Sequence, residues 1–507
     1  MLSYRKIALV GVSLISLSTP AFAAEVAVDD SAENAPIIVE ARRKDEDIQD
    51  VPQVVNAVTS QQLDKLNIRD MKDVASVVPG LQLSPPANGI GGVATLRGVN
   101  FDVNASGNNG TVEFYVNDAP TQTATALQGL FDIGQIEVLR GPQGTLRGRA
   151  SPSGSITIAP RAPDLSQAGA AVNATVNDIK GWNVQAAINV PVIADILGVR
   201  LAGIADENEG NRVRSLNSAV DPKVRTRGGR VSVLFKPVDG LKIQGTYFRL
   251  QRKSTQFSQV ESANLATGTS LPSGSTLITA DDRLAVQQIP GRFDQNAEVF
   301  NAKAEWNLGP VTLNYVGNWR HTKTVTYDPQ DKGNFYDSTF AGSALSANDP
   351  FVTGFATAAS LKNLTQATNS REDAQSHEIR LSSSERLFGM MDFVLGAMSY
   401  KSTPPFELWA QTPLWVDING NQTPTPALQS TVLTFPGPTY VPGFLAVNNS
   451  LITQENTRSL ERSVFGNVTL HFGDATELSG GLRYINYRNH SEKYITTADQ
   501  TDRKSTR

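Results

Sequence analysis

The sequence predicts an all-β transmembrane barrel preceded by a compact α+β domain. Three observations carry that prediction: an export signal at the N-terminus, short mixed elements with glycine-rich turns up to about residue 163, and long period-two alternation from there onward. The composition narrows the function classes. Among 507 residues, 45 Lys and Arg stand against 49 Asp and Glu, for a net charge of −4. A chain so balanced lacks the basic footprint of a nucleic-acid binder. Cysteine is absent, which excludes disulfide frameworks, thiolate metal sites and cysteine nucleophiles. Four histidines, His321, His377, His471 and His490, leave few routes to metal catalysis.

The elements follow in order. Arg5 and Lys6 precede an apolar run from Ile7 to Leu17, and Pro20-Ala21-Phe22-Ala23 supplies the small residues of a cleavage site after Ala23. The run is shorter than the roughly 20 residues of a membrane helix, and no later stretch approaches that length. Residues 1–23 are therefore expected to be a signal peptide, followed by a patternless acidic lead. Ile37-Ile38-Val39-Glu40-Ala41 is a short β-prone patch, and a charged run follows to Asp47. Val54, Val55, Ala57 and Val58 suggest a strand, and Thr59-Ser60-Gln61-Gln62 the start of a helix. A second helix is expected over Asp70 to Val78, with Met71, Val74, Ala75 and Val78 on one face, stopped by Pro79-Gly80.

Beyond about Leu165 the pattern lengthens. Trp182, Val184, Ala186, Ile188 and Val190 alternate with mostly polar neighbours. Phe300, Ala302, Ala304, Trp306 and Leu308 lead through Gly309-Pro310 to Val311, Leu313, Tyr315, Gly317 and Trp319, a hairpin with one apolar face and one hydrophilic face. Val464 to Phe472 and Leu478 to Tyr484 repeat it around Gly473-Asp474. Strands of about 10 residues, aromatic near their ends, with short turns on one side and long connections on the other, suit a membrane barrel. The long connections, Gln251 to Asp294 and Ser402 to Arg462, are expected to be extracellular. A soluble exported β-sandwich would explain one hairpin equally well; the Lys, Glu, Asn and Arg together on the polar faces favour a water-filled lumen.

Residues 37 to 163 resemble the start of TonB-dependent outer-membrane receptors. The matching pieces are Ile37 to Arg43 with Gln49-Asp50-Val51-Pro52, Val78-Pro79-Gly80-Leu81, Leu96-Arg97-Gly98-Val99 and Phe114-Tyr115-Val116-Asn117-Asp118. The most specific is Ile136-Glu137-Val138-Leu139-Arg140-Gly141-Pro142-Gln143-Gly144-Thr145-Leu146, continued by Gly148-Arg149 and Gly154 to Ile158. Glu378-Ile379-Arg380-Leu381 and Gly480 to Tyr484 are the most familiar pieces of the later part.

The resemblance implies a plug domain inside a 22-stranded barrel, divided as 1–23 signal peptide, 24–47 lead with TonB box, 48–163 plug and 164–507 barrel. It implies a handle at Ile37, Ile38, Val39, Glu40 and Ala41 for the TonB energy-coupling protein, by strand addition. Arg97 and Arg140 are expected to meet barrel carboxylates, with Glu378 the candidate. Gly98, Gly141, Pro142, Gly144, Gly148 and Gly154 are expected to shape the plug. The implied cargo is a scarce large nutrient, most often a ferric siderophore, and the implied place the bacterial outer membrane, in contact with its lipid, as a monomer. Two departures stand out: Asn117-Asp118-Ala119 where the family commonly has an Asp-Gly turn, and Arg147 where it often has an aromatic residue, both expected to alter the plug's substrate face.

No catalytic motif emerges, no cofactor is implied and a non-enzyme is expected. His377-Glu378 begins like a zinc-protease helix, but Leu381 stands where its second histidine belongs. Gly89-Ile90-Gly91-Gly92 lacks the strand–turn–helix context of a nucleotide loop, and Ser153 lacks a nucleophile-elbow glycine. The barrel region has room for only about 12 to 14 strands of that length, and the charged end from Thr501 to Arg507 is not a closing strand, so a longer receptor is expected. The alternatives are a passive porin-like barrel, the soluble sandwich and a non-functional receptor remnant.

Overall fold

The computed structural model describes residues 36–40, 46–49, 51, 54–66, 68, 71–84, 93–99, 111–121, 123–126, 130–142, 149, 151–178, 180–259, 279–285, 287–329, 365–417, 444–473 and 476–498. Contacts divide the chain into Met1–Ile37 and Ile38–Arg507, and the description below concerns the second unit. Residues 1–23, expected to be a signal peptide, and Ala41, Gly144, Arg147, Gly148 and the final residues from 499 lie outside the described residues.

The first part is a small α+β assembly. β1 (Ile38–Val39) pairs antiparallel with β2 (Glu46–Asp47). β3 (Val55–Thr59) runs into α1 (Ser60–Lys65) through a capping box. The Gln62 N–H donates to the Thr59 hydroxyl and the Thr59 N–H to the Gln62 side chain, satisfying two orphan donors of the first turn. α2 (Met71–Val77) buries Met71 and Val74 completely, with Val78 just beyond it. The chain then turns at Gly80, whose φ of +77° an L side chain resists.

β4 (Leu81–Ser84) and β5 (Val93–Leu96) form a separate hairpin. β6 (Val112–Val116), β7 (Ala119–Thr121), α3 (Thr123–Ala126), β8 (Ile133–Arg140) and β9 (Gly154–Pro160) complete the domain. Its main sheet has the order β3-β8-β9-β6-β7, antiparallel except for β6 with β9. One face packs Ile136, Val138, Ile156 and Phe114 against Met71 and Val74. Gly154 is required where β9 begins: its φ is +146°, and an added Cβ would collide with the Leu139 carbonyl of β8.

The second part comprises β10 (Gly169–Asn177), β11 (Gly181–Ile193), β12 (Leu197–Asn208), β13 (Arg214–Ser215), β14 (Lys223–Val238), β15 (Leu241–Gln256), β16 (Leu284–Ala285), β17 (Gly291–Asn307), β18 (Val311–Pro329), β19 (Thr365–Ser383), β20 (Met391–Thr403), β21 (Pro405–Asp417), β22 (Phe444–Phe472) and β23 (Thr476–Ala498). β13 and β16 make a short parallel pair of their own. The rest form one 12-stranded antiparallel meander. β20 and β21 share a single lane between β19 and β22, interrupted around Pro404 and Pro405, which have no N–H to give the ladder. Among the described residues, β10 and β23 each have one neighbour in the sheet.

The faces are the reverse of a soluble protein's. Outward, Trp182, Ile188, Phe300, Trp319, Ile379 and Val464 are exposed. Inward, Gln295, Asn318, Arg320, Glu372, Glu378 and Glu461 are buried. The Phe300–Trp319 hairpin has the expected register, with ring centroids 5.6 Å apart. A soluble sandwich would bury its apolar face on a second sheet; here that face is open, as lipid contact requires. No helix among the described residues is long and apolar enough to cross a membrane.

Two expectations need correction. The strands run from 9 to 29 residues rather than about 10, because they continue well past the 9–11 or so residues that cross a bilayer. The supposed loop from Ser402 to Arg462 accordingly contains β21 and the first half of β22.

Candidate functional site

The α+β domain lies against the inner face of the long sheet, and charged side chains join the two at several places. Asp132, just before β8, holds a left-handed backbone conformation with φ of +52°. Its carboxylate takes hydrogen bonds from Arg200 of β12 at 2.9 Å and from Arg230 of β14 at 2.8 Å. Arg230 also donates to the main-chain oxygens of Phe131 and Asp132, and its guanidinium lies 5.0 Å from the centre of the Phe131 ring. Phe131 in turn stacks on Phe248 of β15 and packs against Ala187 and Ala202 of the wall. One loop residue pair thus carries both an apolar anchor and a carboxylate shared between two arginines.

The second clamp is the turn between β6 and β7. Asn117 and Asp118 both have positive φ, the conformation of a tight two-residue hairpin turn. That geometry turns the buried Asp118 carboxylate onto the Lys303 ammonium of β17 at 2.7 Å, and Asn301 donates to the Asn117 carbonyl at 3.4 Å. The departure from Asp-Gly thus places a carboxylate against the wall, where Lys303 lies four residues before the short turn at Asn307, away from the long connections. Next to it, buried Arg320 of β18 donates to the Pro120 carbonyl at 3.1 Å and to Glu372 of β19 at 2.9 Å.

The third clamp is Arg149. Its guanidinium sits 3.5 Å from Glu113 of β6 and 3.5 Å from Glu461 of β22, and lies over the Tyr400 ring of β20 at 4.6 Å. Arg483 of β23 also reaches Glu461, at 3.5 Å. Burial pushes the Glu113 carboxyl above its usual range; Arg149 opposes the shift and the neighbouring Glu461 adds to it. Groups so desolvated are tolerated because each charge faces an opposite one.

The expected site residues fall as follows. Ile38 and Val39 form β1, Val39 is buried, and Ile37 directly precedes them. The Ile38 carbonyl accepts from the Gln135 side chain at 3.0 Å, and the Glu40 N–H donates to the Glu137 carboxylate at 2.8 Å. The β-prone patch is thus tied to β8. Gly98 and Gly141 have φ of +75° and +90°, and Pro142 follows the latter.

The pairing proposed for Arg97 and Arg140 is not found among the described residues. Arg97 is exposed at the tip beside β5, and the Arg140 Nε is buried without a hydrogen-bond partner. Glu378 does face inward, but its carboxylate is held at 2.7 Å by Arg380 two residues along the same strand face. The wall contacts fall instead on Asp118, Asp132 and Arg149, which stand in turns where nothing in the local sequence names a partner. His377 and Glu378 point to opposite sides of β19, so the protease-like dipeptide assembles nothing. Among the described residues no cluster of three His, Asp or Glu could hold a metal ion.

Residues 47–155 match the family described as TonB-dependent Receptor Plug Domain. The pesticin receptor of Yersinia pestis is 31% identical over 112 residues, a match covering 22% of this chain and 16% of that protein. The crystal structure of the ferric yersiniabactin uptake receptor FyuA from Yersinia pestis superposes with a TM-score of 0.62 at 16% identity, covering 88% of this chain and 61% of that one. FpvA of P. aeruginosa, bound to a pyoverdine, gives 0.62 at 13% identity, over 92% of this chain and 56% of that one. The chain thus spans less than two thirds of these relatives' length. Residues 47–155 thus match the plug domain of TonB-dependent receptors, and the strands that follow share the fold of these solved receptors. FyuA is described as an uptake receptor and the Yersinia pestis relative as a pesticin receptor.

Proposed function

We propose that the protein takes part in active uptake of a large scarce nutrient, a ferric siderophore, across the outer membrane, driven through TonB and without chemical change to the cargo. The reading includes a plug of residues 48–163, a barrel from residue 164 onward and a TonB handle at Ile37 to Ala41. The observation that carries it is the clamped plug. Three separate charged contacts, at Asp132, Asp118 and Arg149, hold the domain to the inner face of the barrel sheet. A passive porin keeps a water-filled lumen and has no need of such a domain. Opening a path past buried ion pairs costs several kcal/mol, which calls for work from outside.

The contacts also suggest where the work arrives. Main-chain groups of Ile38 and Glu40 are bound by Gln135 and Glu137 of β8, and β8 begins directly after the Asp132 clamp. A pull on the handle therefore acts on β8 and, through it, on the bond between plug and wall. Uptake in a deletion strain carrying this gene tests the reading, with radioiron delivered as a panel of siderophore chelates. Saturable accumulation of one chelate that stops when a protonophore is added is expected. Uptake that persists without the proton gradient points to a passive pore and overturns the proposal.

A further inference from the structure

On the outer face of the barrel sheet, between β18 and β23, lies a groove of about 580 Å³. Small side chains make it: Ala397 and Ser399 of β20 form the floor. Tyr315, His377 and Ile379 wall one side, and Val464 and Tyr484 the other. His377 is fixed in place by the Tyr315 hydroxyl, 2.9 Å from its Nδ1, and by an edge contact with Trp319. The groove belongs to the apolar band, yet its upper rim is basic. Arg462 stands opposite Ser399 and Asn486 in the ladder. One step towards the long connections, Lys401 and Arg488 flank Leu460, and Arg458 is the next residue outward on β22.

None of these four cations makes an ion pair among the described residues. The outward carboxylates nearby are engaged elsewhere: Asp373 by His321 and Arg371, and Glu492 by His490. Further along the same level, Arg249 is matched to Glu298 and Lys253 to Asp294. The surplus of positive charge is thus local to the top of the groove. An apolar slot in the lipid-facing surface, with uncompensated cations along the rim nearer the long connections, matches a single kind of occupant.

We propose that this groove binds one acylated outer-leaflet lipid whose headgroup carries phosphate. An acyl chain lies over Ala397 and Ser399, and the phosphate sits among Arg462, Lys401, Arg488 and Arg458. The site is independent of the uptake reading, since it faces away from the plug. Charge-assisted bonds to phosphate supply the selectivity, and the desolvated chain adds area-dependent affinity.

Native mass spectrometry of the full chain in mixed micelles tests it, with bis-phosphorylated lipid A, its dephosphorylated form and phosphatidylethanolamine as probes. One retained bis-phosphorylated lipid, preferred at least tenfold over the dephosphorylated form, is expected. K401Q/R462Q should lose that preference, and A397F, which fills the floor while leaving every cation, should reduce retention at least tenfold. R249Q, outside the groove, should change nothing and reports on folding. Equal retention of all three lipids, or retention unaffected by both groove variants, overturns the proposal. So does a wild-type dimer that A397F disperses, which would assign the face to a second copy of the chain.

Discussion

Replacing Asp132 with Asn removes one charge from the tightest of the plug contacts and leaves the backbone undisturbed, because Asn tolerates the left-handed conformation there as Asp does. The three side chains are buried: Asp132 is 8% exposed, Arg230 5% and Arg200 13%. Breaking a buried pair by removing one partner costs about 3–5 kcal/mol. Arg230 keeps its bonds to the Phe131 and Asp132 carbonyls at 3.2 and 2.7 Å, so the lower end applies. A cost of about 3 kcal/mol raises the population of locally opened plug by roughly 150-fold. Hydrogen exchange of peptides covering residues 131–140, in detergent-solubilised protein, reads that change directly. The double variant D132N/R200Q, which also removes the cation bonded only to Asp132 and leaves Arg230 on its two carbonyls, should recover part of the protection. Exchange in D132N within threefold of wild type would refute the view that this charge cluster holds the plug to its wall.

Three further outcomes follow from the same geometry. Gly154→Ala forces a Cβ into the Leu139 carbonyl at a φ of +146°; a cost of about 1–3 kcal/mol should make the plug sensitive to limited chymotrypsin digestion while the barrel strands persist. Asp118→Asn keeps the tight turn but removes the carboxylate charge that pairs with the part-exposed Lys303, and about 1–2 kcal/mol should appear as faster exchange confined to β6 and β7. Glu113 has a folded pKa raised by burial above 4.5, so it binds its proton more readily folded than unfolded. Its stabilising share is full below about pH 4.5 and is lost as pH rises through the raised value. Plug protease resistance should decline over that rise in the wild type and stay flat there in Glu113→Gln.

Local rules made much of the fold legible. Thr59 and Gln62 announce α1 because a capping box needs nothing beyond four consecutive residues. The spacing of Met71, Val74 and Val78 gives α2 its buried face. The even positions from Trp182 to Val190 and the hairpin about Gly309 reveal a face turned to lipid, because period two survives wherever one side of a strand is apolar. It is interrupted in early β22, where Asn448-Asn449-Ser450 break the apolar pattern.

The clamps were illegible for a different reason. Asp132 finds Arg200 and Arg230, and Arg149 finds Glu461, only after the chain has folded back across tens to hundreds of residues. Arg97 and Arg140 stand beside glycines that allow tight turns, but a turn fixes where a side chain starts and not what it meets. The one local signal was Asp118: a charged residue at a turn position usually given to glycine accepts backbone strain, and an ion pair with Lys303 offsets it.

On the proposed function, the plug is moved by a pull on the segment beginning at Ile37. Ile38→Pro removes the N–H that an added strand would bond, on the face of the membrane opposite to cargo binding. The decisive measurement compares surface binding and internal accumulation of the radiolabelled ferric siderophore in cells bearing I38P and in cells bearing the wild-type sequence. Binding unchanged with accumulation abolished is the predicted result; accumulation at the wild-type rate would contradict the account.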